Sequence, residues 1–474
     1  MILDADICYR AVQTRDPRFD GRFFSAVKTT GIYCRPLCPA RTPRRENMEF
    51  YPSAAAAQEA GFRPCLRCRP EVAPGSPAGC GTAATVTRAL RLIENGALDT
   101  GDVPALALRL GIGERHLRRL FLEHLGVGPQ GVAQTRRILL ARTLLEQSEL
   151  TMTGVALAAG FSSVRRFNGA MRSTYGCAPG ELRRRRHRRA RSRLKARLAF
   201  RPPFDWEGLL AFLAPRALPG VERIDRGRYE RTARFDESIG RISVCRSKTK
   251  DELDVEIDAE LSPYLSTILA RLRRLFDLRA DSEEIDAHLA SDPALAKKLR
   301  SGRRVPGTFD PFELAVRAVL GQQVSVAGAT TLAGRLVREL GQRIADTDEL
   351  SHLSPTPEDV SQADLSSIGL TGARQRTLRA LASATLDGEL DLEASPDLDG
   401  VVDRLTALPG IGDWTAQYIA MRGYGETDAF PAGDLALRRA LGREMSAAAL
   451  RRRAETWRPW RAYAAMTLWQ GMSK

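Results

Sequence analysis

The sequence predicts a multidomain α+β protein in four folded parts: a small cysteine-bearing domain, an all-α double helix-turn-helix, a small antiparallel sheet domain with helices, and an all-α C-terminal core. Three observations carry this expectation. At 474 residues the chain exceeds what one hydrophobic core organises. Its apolar spacing turns helical after Thr82, alternating after Phe200 and helical again from Asp310. Its cysteines are unevenly placed: Cys34, Cys38, Cys65 and Cys68 fall within 35 residues, whereas Cys8, Cys80, Cys177 and Cys245 are scattered and read as plain buried thiols.

Composition excludes several classes. With 43% hydrophobic and 27% charged residues the chain has apolar surface enough for several cores, yet no window approaches the roughly 18 uninterrupted apolar residues of a membrane span. Met1–Arg10 contains Asp4 and Asp6 and no apolar core, so it does not read as a secretion signal. The formal charge of +15 is shared unequally: residues 1–200 hold 34 Lys/Arg against 16 Asp/Glu, a net +18, and residues 201–474 hold 38 against 41, a net −3. The basic half suits a polyanion such as DNA, whose phosphates release counterions on binding. The other half needs a more local way to grip it.

The N-terminal cysteines come in two close pairs, with three residues between Cys34 and Cys38 and two between Cys65 and Cys68. In a reducing compartment such pairs read as metal ligands, and four thiolates form the tetrahedral cage that zinc accepts. Spacing alone favours a purely structural zinc site. The surrounding residues Thr29-Thr30-Gly31-Ile32-Tyr33-Cys34-Arg35-Pro36, Arg44-Arg45-Glu46-Asn47 and Gly61-Phe62-Arg63-Pro64-Cys65 resemble the N-terminal domain of the Ada alkylation-response family over about residues 4–72. The resemblance implies that Cys34 is a nucleophile that takes a methyl group from a methylphosphotriester in DNA. A stable thioether results, so the event is stoichiometric. A four-thiolate zinc site carries about −2 and a methylated one about −1, which predicts tighter DNA binding after methylation.

Pro70–Gly81 reads as a linker. Beyond it a pattern repeats about fifty residues apart: Leu106, Leu110, Gly111, Leu117, Phe121, Gly126, Pro129, then Val155, Ala159, Gly160, Phe167, Met171, Gly176, Pro179. In each unit a short helix ends at a glycine suited to a positive-φ turn, and a second helix follows. Arg115, Arg118 and Arg119, then Arg165, Arg166 and Arg172, ride on the second helices. Any one arginine-rich face is as well explained by solvation; the duplication favours DNA contact. Two units joined by a helix at about residues 130–147 resemble the AraC-type DNA-binding domain, over about 82–182.

Residues 183–197 carry ten Lys/Arg in fifteen positions and read as a basic linker, or as an arm that tracks DNA. Next, Leu253, Val255 and Ile257 alternate with acidic residues as a strand with one buried face. From Asp310 the pattern is helical, broken at Gly341, Pro355, Gly369, Gly388 and Pro409. The expected boundaries are therefore 1–76, 82–182, a linker 183–199, 200–300 and 301–474.

Leu408-Pro409-Gly410-Ile411-Gly412, followed by Asp413-Trp414-Thr415-Ala416, has the form of a helix-hairpin-helix. Gly410 and Gly412 let backbone N–H groups approach a DNA phosphate, which suits a half of slightly negative charge. Asp434 lies twenty-two residues after Gly412, within Ala429-Phe430-Pro431-Ala432-Gly433-Asp434. Seen alone it is a helix N-cap. Hairpin, Gly/Pro loop and aspartate together resemble the helix-hairpin-helix glycosylase superfamily, in which the aspartate is needed to cleave the N-glycosidic bond. From about Arg201 onward the resemblance is to the AlkA family of 3-methyladenine DNA glycosylases. Pro203-Phe204-Asp205-Trp206, Arg274-Leu275-Phe276-Asp277-Leu278, Asp310-Pro311-Phe312-Glu313, Leu320-Gly321-Gln322-Gln323-Val324-Ser325-Val326 and Trp457-Arg458-Pro459-Trp460-Arg461 carry it.

The resemblance implies four roles. Superfamily members that also nick DNA have a lysine where this chain has Trp414, so the enzyme is expected to be monofunctional, with water as nucleophile and Asp434 stabilising an oxocarbenium-like sugar. Trp414, Tyr418 and Trp469 match positions lining the base pocket, with Phe212 a further member. A flipped cationic purine is expected to stack on these rings, each favourable contact contributing about 0.5–2 kcal/mol; the plain alternative for each is core packing. At the position where the family inserts an apolar wedge into the gap left by the flipped nucleotide, this chain has Gln323, expected to contact DNA.

The sequence thus predicts a zinc-bound Ada-like domain, a double helix-turn-helix and a helix-hairpin-helix glycosylase that excises alkylated purines of the 3-methyladenine and 7-methylguanine type. The expected cofactor is zinc. Alkylated and promoter double-stranded DNA and RNA polymerase are the expected partners of a monomer in the bacterial cytoplasm, associated with the nucleoid and not with a membrane. Two other readings stand beside it: a transcription regulator with a catalytically silent glycosylase-like anchor, and a glycosylase for deaminated or oxidised bases. No Pro-Cys-His-Arg motif occurs, so direct reversal at O6-alkylguanine is not expected.

Overall fold

The computed structural model describes residues 4–74, 82–184, 193–345, 349–394, 397–441 and 445–470. They partition into two units, Met1–Pro202 with Ser247–Arg273, and Pro203–Arg246 with Arg274–Lys474. The division runs through the segment expected as one α+β domain, leaving part of its strands in each unit.

In the first unit Asp4 caps the helix Ala5–Thr14 by accepting from the N–H of Asp6 and Ile7. Phe24–Val27 (β1), Ile32–Cys34 (β2), Met48–Tyr51 (β3) and Arg63–Pro64 (β4) form a sheet in the order β3-β1-β2-β4. Alternation along β1 and β2 sends Phe24, Ala26 and Tyr33 into one core with Ala57, while Phe23, Met48 and Cys8 pack in another. Pro70–Val72 is a 3-10 turn with Val72 and Ala73 buried. Order therefore extends into the expected linker, whose remainder, residues 75–81 with Cys80, lies outside the described residues.

The helical repeat forms as the pattern predicts. Val103–Arg109 and Glu114–Leu125 make the first unit, Met152–Ala158 and Val164–Tyr175 the second, and Pro129–Gln147 joins them. Side chains cap three of these starts: Asp102 accepts from Ala105, Thr151 from Gly154 and Ser163 from Arg166. Leu106, Leu117 and Phe121, and correspondingly Val155, Phe167 and Met171, are buried, each large apolar side chain contributing about 1.5–3 kcal/mol. At the second turn Gly160 has φ +86°, and a Cβ there would lie 2.3 Å from Asp99 Cγ. Asp99 is itself clamped by Arg136 and Arg137 of the joining helix.

Part of the basic run departs from expectation. Residues 185–192 lie outside the described residues, but Arg193–Ala199 is a strand (β5) and not a linker. It pairs antiparallel with Glu252–Asp258 (β9), from Arg193↔Asp258 to Ala199↔Glu252. Its charge count hid a period of two: Leu194, Ala196 and Leu198 are buried, while Arg193 meets Asp258 at 3.0 Å and Lys195 meets Glu256 at 2.8 Å. On β9, Leu253, Val255 and Ile257 are buried as expected.

The second unit begins with the helix Trp206–Leu213, capped by Asp205, and an antiparallel meander of Glu222–Asp225 (β6), Arg228–Phe235 (β7) and Ser238–Arg246 (β8). Arg231 of β7 is buried against Glu313 at 2.7 Å. Glu313 belongs to Pro311–Leu320, a helix that Asp310 caps and that buries Phe312, Leu314, Ala315, Val316, Ala318, Val319 and Leu320. Burial on more than one face makes it an axis of the core. Val326–Leu340, Gly372–Leu386, Leu398–Thr406, Asp413–Ile419 and Arg461–Gln470 are further helices of this unit. The expected breaks at Gly341, Gly369 and Gly388 fall at helix ends. Among the described residues no helix is long and apolar enough to cross a membrane.

Candidate functional sites

The first site grows from the edge of the N-terminal sheet. β2 ends in Cys34, the loop after it brings Cys38, and the turn after β4 returns Cys65 and Cys68. The four sulfurs lie within 4.8 Å of one another and all four residues are buried. A tetrahedron with metal–sulfur bonds of about 2.3 Å has edges of about 3.8 Å, and Cys38 and Cys65 stand at 4.0 Å. The backbone N–H of Arg35 points at Cys68 Sγ and that of Arg67 at Cys65 Sγ, both at 3.4 Å, as suits thiolates held by a cation. Without that cation the other three sulfurs push the Cys34 thiol up. Donor set and geometry fit zinc.

Two arginines that sequence reasoning missed hold the site in place. Arg35, next to Cys34, is only 5% exposed; its Nε donates to Asp20 at 2.9 Å and its Nη1 to the Cys68 carbonyl at 3.3 Å. Arg142, on the helix joining the two helix-turn-helix units, donates to the carbonyls of Cys65 and Leu66, each at 3.4 Å, and pairs with Glu146 at 2.9 Å. Neither stands out in sequence, because what places each at the site is a bond to a distant carbonyl, Cys68 for Arg35 and Cys65 and Leu66 for Arg142. On the second helices Arg115, Arg118, Arg119, Arg165, Arg166 and Arg172 are all exposed, Arg118 pairing with Glu114 one turn earlier.

The second site lies in the other unit. Asp434 opens the short helix Leu435–Arg439, and its Oδ1 accepts from Leu437 N at 3.0 Å, so it is indeed an N-cap. It is also more than that. Oδ1 accepts from Trp469 Nε1 at 3.1 Å and Oδ2 from Trp414 Nε1 at 3.0 Å. Trp414 stacks on Tyr418, centroids 5.4 Å apart at 11°, and Tyr418 meets Trp469 edge-on at 6.3 Å. The structure therefore brings together Asp434 and the three expected rings, with the carboxylate fixed by two indole N–H groups at the edge of the ring cluster.

Phe212 has a different setting from the one expected. The Arg216 guanidinium lies 3.8 Å from its ring centroid and that of Arg422 5.2 Å away, so the ring is already engaged by two protein cations. Arg422 follows Tyr418 by one turn, where the helix Asp413–Ile419 widens into the π-helical turn Ala420–Tyr424. It donates to the Tyr418 hydroxyl at 2.5 Å and to the carbonyls of Pro306 and Gly307. Burial pushes the Tyr418 phenol up, but Arg422, Arg216 and Arg317 together outweigh it and hold the phenol below its ordinary range. The i, i+4 spacing of Tyr418 and Arg422 was the sequence signal for this contact.

Gly410 and Gly412 are exposed at the hairpin. Gly410 has φ +82°, and a Cβ there would sit 2.1 Å from Thr377 Oγ1; Gly412 immediately precedes the helix Asp413–Ile419, whose free N–H groups suit a phosphate. Gln323 is exposed with φ +55°, in the left-handed region unusual for a side chain with a Cβ.

The chain is similar to known proteins part by part. Family models match for the metal binding domain of Ada over residues 7–71, a helix-turn-helix domain over 106–185, the AlkA N-terminal domain over 195–310 and the HhH-GPD superfamily base excision DNA repair protein over 316–461. A probable bifunctional transcriptional activator/DNA repair enzyme AlkA of Mycobacterium tuberculosis is 44% identical over 98% of this chain and 96% of its own length. The DNA-3-methyladenine glycosylase 2 of Escherichia coli is 36% identical over 57% of this chain and 95% of its own. The bifunctional transcriptional activator/DNA repair enzyme Ada of Escherichia coli is 41% identical, over 34% of this chain and 43% of its own. A solved 3-methyladenine DNA glycosylase from Archaeoglobus fulgidus shares the fold, with a TM-score of 0.52 at 22% identity over 58% of this chain and 97% of that one.

Proposed function

Because the chain belongs to the family of bifunctional transcriptional activator/DNA repair enzymes of the AlkA type, in which a DNA glycosylase is joined to a helix-turn-helix regulator, we propose that it excises N3- and N7-alkylated purines and records phosphate methylation on Cys34. The observation that carries the first part is the convergence of Trp414 Nε1 and Trp469 Nε1 on the Asp434 carboxylate. A silent anchor has no need of a carboxylate held among aromatic rings, and this favours catalysis over the regulator-only reading.

The alkylated purine is already cationic and leaves without a general acid. As the glycosidic bond breaks, its electron pair stays with the base and positive charge develops on the sugar, where the Asp434 carboxylate stabilises it. Water then adds to the sugar carbon and gives up a proton to solvent. Trp414 stands where a lyase has its lysine, so the product is an abasic site and the strand is not cut. The backbone N–H groups of Gly410 and Gly412 at the hairpin hold a phosphate, and Gln323 enters the stack.

At the cysteine centre, Cys34, Cys38, Cys65 and Cys68 hold zinc, which keeps thiolates deprotonated and nucleophilic at neutral pH. Cys34 Sγ attacks the methyl carbon of a methylphosphotriester; the S–C bond forms, the C–O bond breaks and the phosphodiester leaves as an anion. The site loses one negative charge, which lowers repulsion from DNA and favours promoter binding through Arg115, Arg118, Arg165 and Arg166. RNA polymerase is then the partner through which the bound protein activates.

The test is to incubate the full chain with methylated duplex DNA and to measure released bases, strand integrity and the mass of the Cys34 peptide. Release of 3-methyladenine and 7-methylguanine without nicking, and a gain of one methyl on that peptide, are expected. Intact methylated purines in the DNA, or an unmodified Cys34, would overturn the corresponding half. Preferential release of hypoxanthine or an oxidised purine would favour the neutral-lesion reading.

A further inference from the structure

Gln322, one residue before the expected wedge, has no part in the chemistry above. It sits after the axial helix Pro311–Leu320, where the chain turns toward Val326–Leu340 through an exposed lobe, Gln323 to Val326. Three bonds fix it. Its side-chain Nε2 donates to the Gly410 carbonyl at 2.9 Å and to Thr415 Oγ1 at 3.1 Å. Its backbone carbonyl accepts from the guanidinium of Arg374, in the first turn of Gly372–Leu386. The orientation of the carboxamide is set chemically, since a carbonyl such as that of Gly410 accepts only from the NH2 end.

These bonds join two parts that must act on one nucleotide. Gly410 belongs to the hairpin that holds the phosphate, and Thr415 is buried in the helix that carries Trp414 and Tyr418. Gln323, directly after Gln322, is held with φ +55° and is exposed. With its neighbour tied at both backbone and side chain, Gln323 has little freedom to relax toward an ordinary conformation. The lobe, the hairpin and the wall of the ring cluster are thus cross-linked through one side chain.

We propose that Gln322 is a positioning residue for base extrusion: it sets the distance between the Gln323 lobe and the phosphate-holding hairpin, so that gripping the backbone and filling the vacated stack occur as one event. This rests on the glycosylase reading and concerns the step before bond cleavage. Because the three bonds that fix Gln322 run to Gly410, Thr415 and Arg374 and not to Asp434 or the rings, its loss is expected to leave the chemistry of an already extruded base intact.

The experiment compares wild type with Gln322→Ala, Gln322→Glu and Gln322→Met in single-turnover release of one alkylated purine, placed in a fully paired duplex or opposite an abasic-site analogue where stacking is already broken. Glu keeps the shape but presents an oxygen to the Gly410 carbonyl, and Met keeps the bulk without a donor. Loss of two neutral hydrogen bonds predicts a fall of about 30-fold on paired DNA for Ala and Met, and of about tenfold for Glu, whose carboxylate can still accept from the Thr415 hydroxyl but not bond the Gly410 carbonyl, with rates on the unstacked substrate within about threefold of wild type. Fluorescence of 2-aminopurine beside the lesion should show the same loss of extrusion. An equal fall on both substrates, no fall on either, or full rescue by Met would overturn the inference. Wild type is the internal control: failure of wild type to release base from either substrate overturns the glycosylase reading itself, whereas wild-type release with unaltered variants overturns only the role of Gln322.

Discussion

Replacing Asp434 with Asn removes one negative charge with almost no change of shape. A carboxylate about 4 Å from a developing positive sugar, at an effective dielectric near 20, stabilises it by about 4 kcal/mol. That corresponds to roughly a thousandfold in rate. The fold should survive. Asn caps helices about as well as Asp, so its oxygen can keep the bonds from Leu437 N and Trp469 Nε1, now at 3.0 and 3.1 Å. Its NH2 group must then face Trp414 Nε1, which now donates to Oδ2 at 3.0 Å; one hydrogen bond is lost, at a cost of about 1–2 kcal/mol in stability. The assay is single-turnover release of 3-methyladenine from methylated duplex, alongside DNA affinity and thermal unfolding. A roughly thousandfold slower release with affinity little changed is expected. A fall of less than about tenfold in a folded variant, or a defect confined to DNA binding, would refute the catalytic role and leave Asp434 an N-cap.

Gly410→Ala would place a Cβ 2.1 Å from Thr377 Oγ1 at a φ of +82°; with a left-handed cost of about 1–2 kcal/mol, duplex affinity should weaken about tenfold, measured on undamaged DNA. Arg142→Met strands the carbonyls of Cys65 and Leu66 and leaves Glu146 with Arg69 as its remaining cation, so denaturant unfolding should show a loss of about 3 kcal/mol confined to the first unit; an unchanged transition would contradict the bracing role. Tyr418 has its pKa lowered in the folded state, so stability should rise as pH climbs through that folded value and level off above the unfolded value of about 10. Ultraviolet difference titration should show one early tyrosine that disappears in Tyr418→Phe. A strong zinc chelator should expose the four clustered thiols to a thiol reagent while base release, which the proposed function assigns to Asp434 in the other unit, continues.

Most of the local structure was legible because its causes are local. The fifty-residue repeat showed where two helix pairs turn, since a glycine at positive φ and an apolar i, i+4 stripe are properties of a short window. Gly160 at φ +86° and buried Phe121 and Phe167 are its outcome. The cysteine spacing pointed to a metal for the same reason. In Arg193–Ala199, charge density outweighed a period-two pattern that only its partner β9 made decisive.

What the sequence alone determined was therefore the inventory: which segments are helical, which thiols cluster, and that an aspartate follows a hairpin. Tertiary structure decided who touches whom. Asp434 and Trp469 stand 35 residues apart in the chain and 3.1 Å apart in space, Arg142 reaches Cys65 across 77 residues, and Phe212 meets Arg422 across 210. The physical reason is that a side chain's hydrogen-bonding type is written in its own residue, whereas its partner is chosen by packing distant segments against a common core.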